Sequence, residues 1–104
     1  MNTFIIVLVT AKDSEEAEKI AKGLLNKKLV ACVNVLEGVR SLFWWEGKVD
    51  EASEALLVIK SQKKHFKAIV QEVKALHSYS VPEVIALPIE SGNPDYLEWI
   101  KEST

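Results

Sequence analysis

Cysteine is almost missing from this chain of 104 residues: Cys32 stands alone, which rules out an internal disulfide and suits a reducing compartment such as the cytoplasm. Metal ligation and a bond between chains stay open to it. No apolar run is long enough to cross a bilayer. Phe4 to Val9 comes nearest, but it lacks a basic flank before it and meets Lys12 and Asp13 soon after, so a soluble, unprocessed protein with no membrane partner is expected. Excess positive charge is absent too. The formal net charge is -2 and the lysines are interleaved with glutamates, which gives nucleic acid nothing to hold. Enzyme signatures are likewise lacking: there is no G-x-S-x-G, no glycine-rich phosphate loop, no H-E-x-x-H, and no histidine close to Cys32 in sequence. The expectation is a protein that is not an enzyme.

What the chain does have is 48% hydrophobic and 27% charged residues, the composition of one globular domain over residues 1–104. Its most informative stretch is Ser41 to Lys60, which reads as one β-hairpin turning at Glu46, Gly47 and Lys48. Each arm is about twice the length of the other strands, Phe4 to Thr10 and Val84 to Ile89. At ~3.3 Å per residue the tip projects roughly 20 Å past the body. Trp44 and Trp45 sit on that projection. Successive side chains on a strand point to opposite faces, so a lone chain exposes at least one indole, and self-association through the hairpin follows.

The remaining pattern supplies two helices and a terminal one. Asp13 with Glu16 three residues on makes a capping-box-like start, and Ala17, Ile20, Ala21, Leu24 and Leu25 share a face. Glu15 to Lys19 and Glu18 to Lys22 are expected to pair on the wet side, with Lys27 and Lys28 ending the helix. A strand from Leu29 to Leu36 is interrupted at Glu37 and Gly38, a bend or bulge, before it resumes into the hairpin. A second helix is predicted from Gln62 to His77, with Phe66, Ile69, Val70, Val73 and His77 on one face. Pro88 cannot donate to a ladder and so marks its strand as an edge. Asn93 and Pro94 start a short last helix that buries Tyr96, Leu97 and Ile100. The order βαββαβ plus a helix predicts an α+β, ferredoxin-like plait with strand order 4-1-3-2.

Three separated motifs also resemble a known family. W-E-G-K-V from Trp45 to Val49, A-C-V-N from Ala31 to Asn34, and the tail H-x-Y-x-x-P-E-x-I-x-x-P from His77 followed by G-N-x-x-Y-L-x-W-I from Gly92 are similar to the CutA divalent-cation-tolerance proteins. The resemblance covers essentially the whole chain. It implies a cytoplasmic, PII-like homotrimer with long hairpins wrapping between subunits, linked to tolerance of copper and other divalent metals. Many such proteins carry proline after the loop histidine, where this chain has Ser78.

Cys32, His77 and Glu83 are the candidate metal ligands, with Tyr79 beside them; thiolate, imidazole and carboxylate together suit Cu(I), Cu(II) or Zn(II). No obligatory cofactor is implied. The bland reading of each residue weighs more: a buried apolar cysteine, a core or helix-capping histidine, a solvating glutamate, and tryptophans that pack an interface. A different class of function, a PII-like signalling or scaffold module with ligand clefts between subunits, would use Lys60, Tyr79 and Glu83 instead.

Overall fold

The computed structural model describes residues 3–104. Its first strand, β1 (Phe4–Ala11), alternates strictly: Ile5, Val7, Val9 and Ala11 are buried while Phe4, Ile6, Leu8 and Thr10 are half-covered. Helix α1 (Ser14–Asn26) follows, then β2 (Cys32–Trp45), β3 (Lys48–Gln62), a 3-10 turn over Lys63–His65, α2 (Phe66–Leu76), β4 (Val84–Pro88) and α3 (Pro94–Ser103). The sheet order is β2-β3-β1-β4, the expected plait read from its other edge. Every pairing is antiparallel. Pro88 does lie on an edge strand, opposite Ile5.

Helices α1 and α2 cover one face. Ile20 and Leu24 of α1, Ile69 and Val73 of α2, and Leu57 and Ile59 of β3 are fully buried with the inward side of β1. The two helices approach closely at Gly23, where an added Cβ would come within 2.6 Å of Leu76 Cδ1. Ser61 is the polar member of this core, and its hydroxyl donates to the Leu29 carbonyl at 2.5 Å.

The start of α1 is as predicted in kind and different in detail. Asp13 accepts the Glu16 N–H at 2.8 Å, but the Glu16 carboxylate reaches back to the N–H of Lys12, not of Asp13. Glu18 and Lys22 pair at 2.8 Å; among the described residues no such pair joins Glu15 to Lys19. The second helix begins later than expected because Lys63–His65 close as a 3-10 turn, and His77 stands just outside it with extended backbone (φ -83, ψ 143). The return strand begins at Cys32, not Leu29, although the Ala31 N–H already bonds to the Lys60 carbonyl.

The expected bend appears as a register shift between Leu36 and Val39, with Gly38 at φ 68. Beyond it the hairpin runs to a two-residue turn at Glu46 and Gly47, both at positive φ, closed by the pair Trp45 and Lys48. The molecule is accordingly elongated, 44 × 26 × 23 Å.

Helix α3 lies on the sheet face opposite α1 and α2. Alternation along β3 turns Lys60 and Gln62 away from the buried Ile59 and Ser61, and Gln62 Nε2 donates to Thr104 Oγ1 at 2.6 Å. Ile100 is its fully buried anchor. Tyr96, expected inside, is 41% exposed and stacks on Trp99 with ring centroids 5.4 Å apart. The rest of that sheet face stays open: Leu36, Ile85 and Leu87 are each about half exposed.

Candidate functional site

The loop between α2 and β4 gathers one cluster at the end of the sheet. His77 leaves α2 with its ring wholly covered, its Nε2 2.7 Å from the Thr10 carbonyl and its Nδ1 3.0 Å from the Tyr79 N–H. A carbonyl only accepts and an amide N–H only donates, so these contacts assign the neutral tautomer with the proton on Nε2. Glu16 Oε1 lies 3.5 Å from Nδ1. Burial alone would raise the Glu16 pKa, but the hydrogen bonds from Ser78 and Lys12 outweigh it and bring it below the ordinary carboxylate value.

Tyr79 folds its ring against His77, centroids 4.7 Å apart, and its hydroxyl donates to Glu54 Oε2 at 2.7 Å. Glu54 sits where the projecting hairpin meets the body and is nearly buried. The Tyr79 phenol is pushed up to about 12, first by burial and then by the Glu54 carboxylate beside it. At neutral pH it is a hydrogen-bond donor, not a base.

A second cluster lies on the open face, under α3. Cys32 and Lys60 are directly opposite on β2 and β3, with Lys60 Nζ 3.9 Å from Cys32 Sγ and hydrogen-bonded to Asn34 Oδ1. Tyr96 stands on the helix side of this cluster, and burial, followed by the Cys32 sulfur, raises its pKa.

Cys32, His77 and Glu83 are therefore not neighbours within one chain. Cys32 stands in the row of Lys60 and Ile6, whereas His77 binds the carbonyl of Thr10, four residues along β1 and so ~13 Å away. Glu83 is exposed just before β4. Among the described residues no three His, Cys, Asp or Glu side chains converge as metal ligands. The structure joins His77 to Tyr79, and Cys32 to Lys60. Sequence reasoning missed Glu54 as a partner in this cluster and saw Glu16 only as a cap. A carboxylate placed directly before the apolar run Ala55 to Ile59 was the available signal for Glu54.

Four antiparallel strands with α1 and α2 on one face define a ferredoxin-like α+β plait. The family described as CutA1 divalent ion tolerance protein matches residues 5–103, and the chain belongs to it. The Archaeoglobus fulgidus divalent-cation tolerance protein CutA is 48% identical over 103 residues, 99% of this chain and 98% of that one. The chloroplastic CutA 1 protein of Oryza sativa is 49% identical over 96% of this chain, which spans only 56% of the rice protein's length. The crystal structure of CutA1 from Oryza sativa superposes with a TM-score of 0.95 at 47% identity, covering 100% of this chain and 97% of that one. The structure of the A. fulgidus protein, described as periplasmic, gives 0.94 at 46% identity over 96% of this chain and 97% of that one. Among the described residues no helix is long and apolar enough to cross a membrane.

Proposed function

We propose that this protein is a cytoplasmic homotrimer that binds copper or another divalent metal ion and contributes to metal tolerance. The observation that carries the assembly is the surface one chain leaves bare: Trp44 is 75% and Trp45 60% exposed on a hairpin that also presents Leu42, Phe43 and Val49, beside a half-open apolar sheet face. Contiguous apolar surface of this kind marks an interface. The number three is what resemblance to the family implies, and the metal role is carried by membership in a family named for divalent ion tolerance.

Cys32, His77 and Glu83 are the proposed ligands. Because one chain holds them apart, a centre built from them takes its ligands from adjoining chains. His77 contributes Nδ1 only by releasing the Tyr79 N–H. Native mass spectrometry of the reduced protein with one equivalent of copper per chain tests both parts. The expected result is a trimer carrying three coppers, with binding lost in Cys32→Ser and His77→Ala while the trimer persists. Unchanged copper binding in both variants would sink the metal assignment.

A second reading rests on Lys60, whose ammonium shares the open face with Cys32 and Asn34. In this reading the protein is a PII-like signalling or scaffold module, and Lys60, Tyr79 and Glu83 line clefts between subunits that hold a small ligand or partner protein. It predicts a trimer that gains no copper.

A further inference from the structure

One feature belongs to neither cluster: a groove of about 950 Å³ between the entrance to α2 and the edge strand β4. Lys63, Lys64 and Lys67 line it on the helix side, and Phe66, Ala86 and Pro88 give it an apolar floor. These three lysines already stand together in sequence, in a stretch from Ala55 to Gln71 that holds no Asp or Glu, and no Asp or Glu from elsewhere in the fold lines the opening. Elsewhere Lys22, Lys27 and Arg40 each find a carboxylate, whereas among the described residues none of these three has an ion-pair partner.

Their position is electrostatically unfavourable. Cations at a helix start oppose the macrodipole, and the first turn of α2 carries no acid, while α1 has Glu15 and Glu16 there and α3 has Asp95. His65, on the same turn, is held below the usual histidine range by burial and then by Lys64. In a chain whose net charge is -2, a site that concentrates uncompensated positive charge beside a cavity of ligand size calls for an anion.

We propose that this groove binds a small polyphosphate-bearing ligand, its phosphates held by Lys63, Lys64 and Lys67 and any apolar body resting on Phe66 and Pro88. The shared chemistry is a di- or triphosphate group. Inorganic tripolyphosphate and ADP separate the two sources, since only ADP has a ring to place on the floor.

Isothermal titration of the assembled, metal-free protein at low salt is the test, using tripolyphosphate, ADP and sulfate as probes. Tripolyphosphate or ADP should bind at one site per chain, tighter than sulfate and weakening steeply with added salt. The double variant Lys63→Gln/Lys67→Gln should lose about tenfold in affinity per lysine, since each supplies a charge-assisted contact. Lys19→Gln/Lys22→Gln, which removes the same charge from α1, should bind as the parent does. Tighter binding of ADP than of tripolyphosphate assigns the floor a role; equal binding assigns the site to phosphate alone. Absence of binding by both phosphates, or equal losses in the two double variants, overturns the proposal.

Discussion

A neutral imidazole organises the end of the sheet because each nitrogen of His77 has a fixed partner, Thr10 on one side and Tyr79 on the other. Glu16 completes the arrangement by accepting the N–H groups of Lys12 and Ser78, so one carboxylate ties the start of α1 to the end of α2. Replacing it by Gln turns one acceptor into a donor that faces an N–H, and about 1.5–3 kcal/mol should be lost at pH 7. The folded pKa of Glu16 lies below its ordinary value of 4.5, so its stabilisation is present above 4.5 and disappears as pH falls through the folded value. Guanidinium unfolding of parent and Glu16→Gln at fixed protein concentration should show a gap at pH 7 that closes in acid. A gap of constant size would show that the carboxylate charge is irrelevant. Tyr79 has the opposite sense. Its folded pKa is raised from 10.0 to about 12, so its contribution is full below 10 and fades as pH climbs towards 12. Tyr79→Phe should therefore weaken the protein at neutral pH and flatten its loss of stability across that alkaline window, read by the same unfolding experiment. None of this was visible from the residue types. His77 and Tyr79 were singled out from the sequence, but their partners Thr10 and Glu54 lie 67 and 25 positions away and meet them only through the fold.

At the scale of elements, local chemistry was most legible where one residue dictates the backbone. Asp13 as a cap, Gly38 as a bulge and Pro88 as an edge marker each act within a few residues, and each stands in the structure as expected. The place of α3 was not legible, because its single buried anchor, Ile100, is too little apolar pattern to say which sheet face it covers. The 3-10 turn at Lys63–His65 also escaped, since it differs from a helical start by one hydrogen bond and not by composition. The two glycine-bearing sites of the hairpin make a paired prediction. Gly38 is at φ 68 with nothing within 4 Å of an added Cβ, so Gly38→Ala should cost about 1–2 kcal/mol from backbone strain alone. Glu46 is at φ 50 in the first position of a turn whose two central residues are both left-handed. Asn favours that position, and Glu46→Asn should raise stability by roughly 0.5–1 kcal/mol. Thermal melts of the two variants should move in opposite directions.

At the scale of the molecule, the chain invests its length in a hairpin it cannot cover. Arm length and the two adjacent indoles made this readable from the sequence, and the structure distributes the indoles as strand alternation requires. Trp44 lies across from Val49 on one face of the hairpin, and Trp45 shares the other with Phe43. If neighbouring chains clasp the hairpin, both faces are interfaces and each tryptophan anchors a different one. Trp44→Ala and Trp45→Ala should then each cost about 3–5 kcal/mol of assembly, the range for removing a buried tryptophan. Because that loss falls on association, it should appear as concentration-dependent dissociation on dilution and a melting temperature that rises with protein concentration. Lys48→Ala, one residue past the turn, removes an exposed charge from the same tip and should leave assembly unchanged. A single-face clasp predicts that one tryptophan variant dissociates while the other matches the Lys48 control. A Trp45→Ala protein that stays fully assembled and equally heat-resistant would show that this indole is not an anchor.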